Sequence, residues 1–238
     1  MDIFDVIEAT WPAARHIRRG DWKIRDGQGG GKRVSSAELV GADLDKSTIP
    51  DAEAAMAELG QTALFMIRPE QSELDAQLAS LGYDIIDPVN IYCAPVQDIA
   101  TQRPPKVMMF SVWPRLAIQD EIWRKAGIGP ERLAVMDRAS GPKTTILGRF
   151  NDQPAATAFI AAKGDTAMLH ALEVLPHQRQ QGVGVQLMRH AAFWAQDNGI
   201  KMLSVVCVKT NTGANRLYSS LGMTLISSYH YRIKKGQC

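Results

Sequence analysis

The chain has 238 residues, of which 45% are apolar and 22% charged, and 27 Lys and Arg against 25 Asp and Glu leave a formal net charge of +2. This composition is typical of a globular protein and excludes a largely disordered chain. The balanced charge lacks the strongly basic character of nucleic-acid binders, so we expect no nucleic-acid partner.

The termini and cysteines exclude further classes of protein. No apolar run approaches the ~18 residues that a membrane span requires, and the start of the chain is acidic where a signal peptide is basic. Cys93, Cys207 and Cys238 have no metal-ligand spacing and cannot all pair. We therefore expect no metal, no membrane partner and a reducing, cytoplasmic location.

Helices and strands alternate in the first hundred residues. A helix is predicted over residues 3–17, with a break at Pro12. The sequence GQGGGK at residues 27–32 separates two strands and is interpreted as a flexible hairpin loop, without the helix that a phosphate loop would need behind it. The strands are predicted at residues 22–25, 33–40, 63–67 and 83–92, and the other helices at 52–59 and 72–81.

Two prolines among polar residues at 102–106 indicate an extended linker. We therefore predict one domain at 1–100, a linker at 101–106 and a second domain at 107–238. Strands of the second domain are predicted at 107–112, 144–150, 155–161, 167–175, 202–208 and 224–233, and helices at 115–125, 130–139, 183–197 and 214–221. Such alternation implies a mixed sheet whose faces are covered by helices.

A weak internal repeat relates the two parts of the chain. A shift of 140 residues places Gly82 on Gly222 and residues 63–67 on 203–207. The order of strand, helix, glycine and strand is preserved under this shift, although few residues are identical. The repeat indicates that both halves share one architecture.

The segment 172–184, LEVLPHQRQQGVG, joins a predicted strand to the longest predicted helix. Gly182 and Gly184 at the helix start allow close backbone approach, the exposed N–H groups and helix dipole favour phosphate oxygens, and Arg179 adds a cation. This arrangement predicts a pyrophosphate site. Two glycines alone also fit a tight turn without a ligand, and the spacing does not match G-x-G-x-x-G.

This turn and a second motif downstream give residues 107–233 a resemblance to the GNAT superfamily of acyl-CoA-dependent N-acetyltransferases. The phosphate turn of that family, Arg/Gln-x-x-Gly-x-Gly/Ala, matches Arg179, Gly182 and Gly184. Its downstream signature, Asn-x-x-Ala-x-x-Leu-Tyr-x-x-x-Gly-Phe, matches Asn211, Ala214, Leu217, Tyr218 and Gly222. Met223 departs from the usual Phe, and Gln180 from a frequent Gly.

The resemblance implies the fold and the donor site. The fold is α/β (α+β), with a mixed, mostly antiparallel sheet flanked by helices, in two tandem copies. The donor would be acetyl-CoA, with its pantetheine arm along residues 171–175 and contacting the backbone of Val174 and Leu175. Its pyrophosphate would bind the turn and first helical residues, which are Arg179, Gln180, Gln181, Gly182, Val183, Gly184 and Val185.

The resemblance also implies catalytic roles. Tyr218 lies where the family has the acid that protonates the leaving thiolate, although an aromatic residue packed on a short helix is the alternative. Asn211 matches a residue that contacts the cofactor arm or a catalytic water, and the backbone N–H near Val174 would stabilise the oxyanion.

The sequence offers two candidates for the general base. His170 and Glu173 lie three residues apart on one predicted strand, and hence on opposite faces. Either could act as a base, the carboxylate through a water molecule. We choose Glu173 because it adjoins Val174, where the acyl group is expected.

The first half lacks these parts. No Arg-x-x-Gly-x-Gly turn precedes its helix, where residues 41–44 read GADL, and Leu78 stands at the position of Tyr218 in the repeat. We predict a degenerate GNAT-like domain that shapes the acceptor pocket or supports the fold. Trp11, Trp22 and the basic residues at 15–19 could line an anionic acceptor site, but buried tryptophans and solvated arginines are the favoured alternative.

We therefore predict an N-acetyltransferase that moves the acetyl group of acetyl-CoA directly to a primary amine of a small molecule or a peptide. Cys207, inside a predicted strand, is not expected to act as a nucleophile. The alternative is a non-catalytic acyl-CoA sensor or scaffold, and a weaker one is a partner-binding module that uses the first helix. The amine acceptor and the oligomeric state, including a homodimer, stay open.

Overall fold

The computed structural model describes residues 2–40 and 48–234, which fall into two compact units. The first unit comprises Met1–Pro12, Ile91–Cys207 and Asn211–Ile226, and the second comprises Ala13–Asn90, Val208–Thr210 and Ser227–Cys238. The chain thus passes between the units several times, and the predicted linker at 102–106 lies within the first unit. These units differ from the predicted division at 101–106.

The described residues form helices and strands in alternation. The strands are β1 (Arg15–Arg19), β2 (Trp22–Asp26), β3 (Ala37–Leu39), β4 (Leu64–Ile67), β5 (Tyr83–Pro95), β6 (Met109–Val112), β7 (Lys143–Phe150), β8 (Gln153–Lys163), β9 (Thr166–Val174), β10 (Met202–Val208) and β11 (Thr224–Lys234). The helices are α1 (Ile3–Thr10), α2 (Ile49–Glu58), α3 (Ser72–Ser80), α4 (Val96–Ile99), α5 (Ala117–Lys125), α6 (Pro130–Arg138), α7 (Val183–Asp197) and α8 (Thr212–Ser220). None of these helices has the length and apolar character needed to cross a membrane.

The sheet of the first unit is mixed and lies between helices. Its strand order is β5-β10-β9-β8-β7-β6, with β9 and β10 parallel and β6 to β9 antiparallel. One face, which includes Ala156, Ala158 and Ile160 of β8, packs against apolar residues of α7. The other face packs against α1 and α5. This is the predicted class of fold, a sheet flanked by helices.

The second unit has a smaller sheet in the order β1-β2-β3-β4-β11, in which only β3 and β4 run parallel. Apolar side chains of this sheet, among them Trp22, Ile24 and Phe65, form one core with residues of α2 and α3. The opposite face holds a buried charge cluster. Glu38 is fully buried and forms ion pairs with Lys23 (2.8 Å), Arg25 and Arg68.

The first helix is shorter than predicted, which corrects the expectation for residues 3–17. It ends at Thr10, directly before Trp11 and Pro12, because proline cannot continue a helix at that point. The basic residues at 15–19 then form β1, which pairs with β2 across a turn at Gly20 (φ +54°). The cluster thus lies on a strand and not on a helix end.

The predicted internal repeat has a counterpart in the element order. In the second unit β3, α2, β4 and α3 are followed by β5, and in the first unit β9, α7, β10 and α8 are followed by β11. The shift of 140 residues carries the bounds of α3 onto those of α8. Gly82 and Gly222, which follow these two helices, both have positive φ. The segment 41–44, where the phosphate turn is missing from the sequence, lies outside the described residues.

Candidate functional site

A gap opens between the two parallel strands of the first unit. The registered pairs of β9 and β10 run from Thr166↔Met202 to Leu169↔Val205 and stop there, although both strands continue. Parallel strands that separate leave the backbone N–H and C=O groups on their inner edges without ladder partners. The gap is therefore a place where an extended ligand can form hydrogen bonds with β9.

The backbone of Val174 faces this gap. The N–H of Leu175 donates to the carbonyl of Ala155 (2.9 Å), so this pair forms hydrogen bonds toward β8. Such pairs alternate along an antiparallel ladder, and Val174, opposite Ala156, is a non-hydrogen-bonded pair. Its N–H and C=O consequently point away from β8. The Leu175 N–H, by contrast, is engaged with β8.

A β-bulge in β9 places the two candidate bases on the same face of the sheet. Glu173 pairs with Thr157 and His170 with Phe159, so that β9 has one more residue than β8 in this stretch, and Ala171 has φ +49°. Directly opposed residues lie on the same face of a sheet. His170 and Glu173 therefore share a face, which corrects the prediction that they point in opposite directions.

His170 is held in the core beneath α1. It is buried, its Nε2 lies 2.9 Å from the hydroxyl of Thr10, and its ring centroid lies 4.9 Å from that of Trp11. Trp123 of α5 donates to the carbonyl of Ala171 (2.8 Å), which fixes the bulge. His170 is therefore a packed core residue.

The turn after β9 is accessible and electropositive. Arg179, Gln180, Gln181 and Gly182 are exposed. The guanidinium of Arg179 donates to the carbonyl of Val174 (3.0 Å), which keeps the cation close to the gap. Gln180 has φ +60°, and Gln181 donates to the carbonyl of His177 (3.0 Å).

The N-terminus of α7 carries no side-chain cap. Gly182 is the N-cap residue, no acidic residue lies in the first turn, and the first helical hydrogen bond runs from Gln186 to Gly182. The N–H groups of Val183, Gly184 and Val185 therefore have no intrahelical acceptor and add to the positive end of the helix dipole. This is the arrangement in which helix termini bind phosphate.

The two glycines of the turn serve different purposes. Gly182 adopts φ +79° and has open space around it, so its role is conformational. A Cβ on Gly184 would lie 3.2 Å from a methyl group of Leu217 in α8, so this glycine allows two helices to approach. Close packing, and not ligand approach, is thus what the structure requires of Gly184.

Tyr218 lies in a buried group of polar side chains near Glu173. Burial, together with the negative charges that Cys207 and Glu173 can carry, raises the pKa of the Tyr218 hydroxyl. Its ring centroid lies 5.8 Å from that of Tyr92. The tyrosine therefore stays protonated at neutral pH and can donate a hydrogen bond.

Burial shifts the pKa values of Glu173 and Cys207 in the same direction. Burial raises the pKa of the Glu173 carboxyl, while the charge of Arg179 partly opposes the shift. Burial also raises the pKa of the Cys207 thiol to about 11. A carboxyl with a raised pKa is suited to proton transfer, whereas a thiol that stays protonated is a poor nucleophile.

Two residues of this group were not found from the sequence. Asn215 accepts a hydrogen bond from the hydroxyl of Tyr92 (2.9 Å) and donates to the carbonyl of Asn211 (2.7 Å). Tyr92 belongs to β5, 123 residues earlier in the chain, so no local pattern links it to α8. Asn215 lies within the downstream motif, one helical turn after Asn211, and this spacing could have indicated that the two side chains are neighbours.

Asn211 has a structural role in this state. Its side chain accepts a hydrogen bond from the N–H of Ala214 (3.1 Å), which caps α8. The cap fixes the start of the helix that carries Tyr218.

The tryptophans and arginines considered for an acceptor site are engaged elsewhere. Trp22 is fully buried in the second unit and donates to the hydroxyl of Thr48 (3.0 Å). Arg15 and Arg19 form ion pairs with Asp26 and Glu58. Trp11 is buried beside Phe159 and His170. The favoured alternative, core tryptophans and solvated arginines, describes these residues.

Within residues 2–40 and 48–234, no three His, Cys, Asp or Glu side chains are grouped in a way that could hold a metal ion.

Part of the sequence matches a known protein family. Residues 109–223 match the Acetyltransferase (GNAT) family. Over 236 residues, or 95% of each chain, the sequence is 27% identical to the uncharacterized N-acetyltransferase YobR of Bacillus subtilis (strain 168).

Solved structures share the fold at low sequence identity. A functionally unknown conserved protein from Staphylococcus epidermidis superposes with a TM-score of 0.73 at 14% identity, covering 99% of this chain and 98% of the other. A GCN5-related N-acetyltransferase from Kribbella flavida superposes with a TM-score of 0.70 at 16% identity, covering 97% and 93%. Both similarities extend over nearly the whole chain.

Proposed function

We propose that this chain, which through residues 109–223 belongs to the GNAT family of acetyltransferases, transfers the acetyl group of acetyl-CoA directly to a primary amine. Family membership makes it an acyltransferase, and the family in general uses acetyl-CoA. The donor and the amine class are our proposal. The observation that carries it is the gap between β9 and β10, which adjoins the uncapped start of α7 and the Glu173–Tyr218 pair.

The donor is held mainly by backbone groups. The N–H groups of Val183, Gly184 and Val185, with Arg179 beside them, bind the pyrophosphate at the start of α7. The pantetheine arm extends along the gap, where the backbone of Val174 offers its carbonyl to the arm and its N–H to the thioester at the end of the arm. This carbonyl also accepts a hydrogen bond from Arg179, which holds the guanidinium near the start of α7.

Three groups of this chain then act on the reaction. The N–H of Val174 donates to the oxyanion that forms when the amine nitrogen attacks the thioester carbonyl. Glu173 removes the proton that the amine loses, directly or through a water molecule. Tyr218 gives its proton to the sulfur as the carbon–sulfur bond breaks, so that an amide and a thiol leave.

Direct transfer is favoured over an acyl-enzyme. Cys207 lies at the end of the gap, but its thiol is buried and has a pKa of about 11. The thiolate fraction at neutral pH is therefore very small, and covalent catalysis needs the thiolate.

Binding and turnover test this function separately. Acetyl-CoA should raise the melting temperature of the full chain, because it binds only the folded state, and no shift at millimolar acetyl-CoA would refute the donor site. A screen of amines, amino acids, polyamines, aminoglycosides and peptide N-termini, with thiol release as the readout, should identify the acceptor class. Binding without amine-stimulated release in the whole screen would favour the sensor alternative.

We also propose that the second unit descends from a duplicated acetyltransferase fold that has lost the donor site. The shared element order and the coincident bounds of α3 and α8 support this. The position of Tyr218 is occupied by Leu78, which is fully buried and cannot donate a proton.

A further inference from the structure

The second unit contains a cavity of about 480 Å³ that the proposed acetyl transfer does not use. It is lined by the glycine-rich loop at residues 27–32, by residues around the start of β4, and by β5 and β11. Cavities that bind small molecules usually measure ~300–1,000 Å³, so the volume suits a metabolite-sized ligand.

The glycine-rich loop, which the sequence predicts as a flexible hairpin loop, is anchored at its first residue. The N–H of Gly27 donates to Gln61 (2.8 Å), and the Gln61 amide donates to the carbonyls of Arg25 (2.8 Å) and Ser35 (3.3 Å). A Cβ on Gly27 would lie 2.0 Å from the Ser35 hydroxyl, so this position requires glycine. The loop therefore forms a defined wall of the cavity.

The floor of the cavity is apolar. Leu64 and Ile233 are direct cross-strand partners on β4 and β11, and Ile86 of β5 lies beside them in the lining. Leu64 alternates with Phe65, which belongs to the core of this unit, so the floor lies on the opposite face of the sheet. An aliphatic or aromatic group would be buried favourably on this surface.

Two opposite charges lie in the lining of the same cavity. The ammonium of Lys32 and the carboxylate of Asp87 are 2.5 Å apart, and their side chains are 48% and 43% exposed. An ion pair this exposed adds little stability and opens readily. A ligand that carries both charges can replace each partner with a new one, whereas a ligand with a single charge leaves one of the two without a partner.

We propose that this cavity binds a small zwitterion with an apolar body, of the class of a free apolar amino acid. Its carboxylate pairs with Lys32, its ammonium with Asp87, and its side chain rests on Leu64, Ile86 and Ile233. The site belongs to the second unit and is separate from the acetyl-CoA site.

Isothermal titration calorimetry on the full chain, without acetyl-CoA, tests this site with three isosteric probes. L-Phenylalanine should bind at least about tenfold more tightly than 3-phenylpropionate, which lacks the ammonium, and than 2-phenylethylamine, which lacks the carboxylate. Equal binding of either singly charged probe, or no heat from L-phenylalanine at millimolar concentration, would overturn the proposal.

Charge-removing variants locate the binding. Lys32→Gln and Asp87→Asn should each weaken L-phenylalanine binding about tenfold or more. Asparagine tolerates the positive φ of Asp87 (+43°), so the backbone is kept. Lys201→Gln is the control, because Lys201 forms an exposed Lys–Asp pair with Asp165 (2.8 Å) in the first unit, away from the cavity.

A cavity-filling variant gives an independent check. Ile86→Trp should abolish L-phenylalanine binding with the melting temperature retained, since Ile86 is only partly buried. Unchanged binding in this variant, or equal weakening in Lys201→Gln, would contradict the proposal. Titration with acetyl-CoA is a separate measurement, so failure here leaves the proposed transferase function to its own test.

Discussion

At the residue scale, the pKa values of Glu173 and Tyr218 are shifted in the same direction. Burial raises both. For the carboxyl, the rise brings its pKa closer to neutral pH, where a general base is most effective. For the phenol, the rise keeps the hydroxyl protonated at neutral pH, as the proposed proton donor must be, although it also makes the phenol a weaker acid. One apolar environment thus raises the pKa of both groups that we propose to transfer protons.

Replacement of Tyr218 by Phe tests the acid. We expect kcat to fall by about a hundredfold, because the ring remains while the proton donor is lost. The KM for acetyl-CoA should stay nearly constant, since the pyrophosphate site is formed by other residues. Steady-state kinetics over a range of pH measure both, and an unchanged kcat across that range would remove Tyr218 as the acid.

The pH profile of kcat/KM tests the base. Glu173 must be deprotonated to act, so activity should fall as the pH is lowered through its pKa, which lies above the ordinary value of about 4.3. Glu173→Gln should lose this acidic limb and most of its activity. His170→Gln is the comparison, because His170 lies on the same sheet face as Glu173 but is packed under α1. If His170→Gln loses the acidic limb and Glu173→Gln keeps it, the histidine is the base.

At the element scale, α7 depends on glycines with positive φ at both ends. Gly182 precedes its first turn with φ +79°, and Gly199 follows its last turn with φ +72°. A Cβ added at either position would meet no heavy atom within 4 Å beyond the adjoining backbone, so an added methyl group carries only the backbone cost. The two positions therefore provide a matched pair for separating helix stability from ligand binding.

We expect Gly182→Ala and Gly199→Ala to lower the free energy of unfolding by about 1–2 kcal/mol each. Only Gly182→Ala should also weaken acetyl-CoA binding, because it alters the N–H groups at the start of α7. Chemical denaturation and calorimetry measure the two effects. Equal affinity in both variants would show that the pyrophosphate does not bind at this helix start.

Strand β3 of the second unit contributes a buried carboxylate, that of Glu38. Burial disfavours the charge of Glu38, but Arg25, Lys23 and Arg68 outweigh it and lower the pKa of the carboxyl. Its stabilising contribution is therefore present above the pKa of the unfolded chain and is lost as the pH falls through the lowered folded value.

Glu38→Gln should accordingly lower the free energy of unfolding by about 3–5 kcal/mol at neutral pH, because it leaves buried cations without their carboxylate. The loss should shrink as the pH approaches the acid range. Glu58→Gln, in an exposed pair with Arg19, should change stability by less than about 0.5 kcal/mol. Denaturation curves at several pH values decide this, and a cost for Glu38→Gln that does not vary with pH would contradict it.

At the scale of the whole molecule, the chain does not separate into two consecutive domains. Residues 1–12 belong to the unit that carries the transferase motifs, and residues 227–238 belong to the other. Phe4, Val6 and Ile7 of α1 are buried, and α1 packs on β8 and β9. The first helix is thus part of the core, which argues against its use as a partner-binding module.

Deletion of residues 1–12 should therefore lower the melting temperature and the transferase activity together, because His170, Phe159 and the bulged part of β9 lose their cover. Asp5→Asn, at an exposed position of the same helix, should change neither. Thermal unfolding and the thiol-release assay measure both properties. A stable and active truncated chain would restore the partner-binding interpretation.

Local patterns determined the elements that carry the proposed donor site. The helix at 183–197 and the strand at 202–208 were predicted with the bounds that the structure has. Apolar periodicity and glycine stops are short-range signals, so they can be read from a dozen consecutive residues. The same holds for the two motifs, whose spacing places Arg179, Gly182 and Tyr218 in the family pattern.

Other features depend on contacts between distant parts of the chain, and only the tertiary structure decided them. The bulge at Ala171 reverses the predicted facing of His170 and Glu173, because one extra residue shifts the alternation of a strand. The Tyr92–Asn215 hydrogen bond joins residues far apart in sequence. The same is true of the packing of α1 on β8 and β9, and of the membership of residues 1–12 in the first unit and 227–238 in the second. The sequence by itself determined which helices, strands and motifs are present, because these signals are local. The tertiary structure decided which side chains meet, because that depends on strand register and long-range packing.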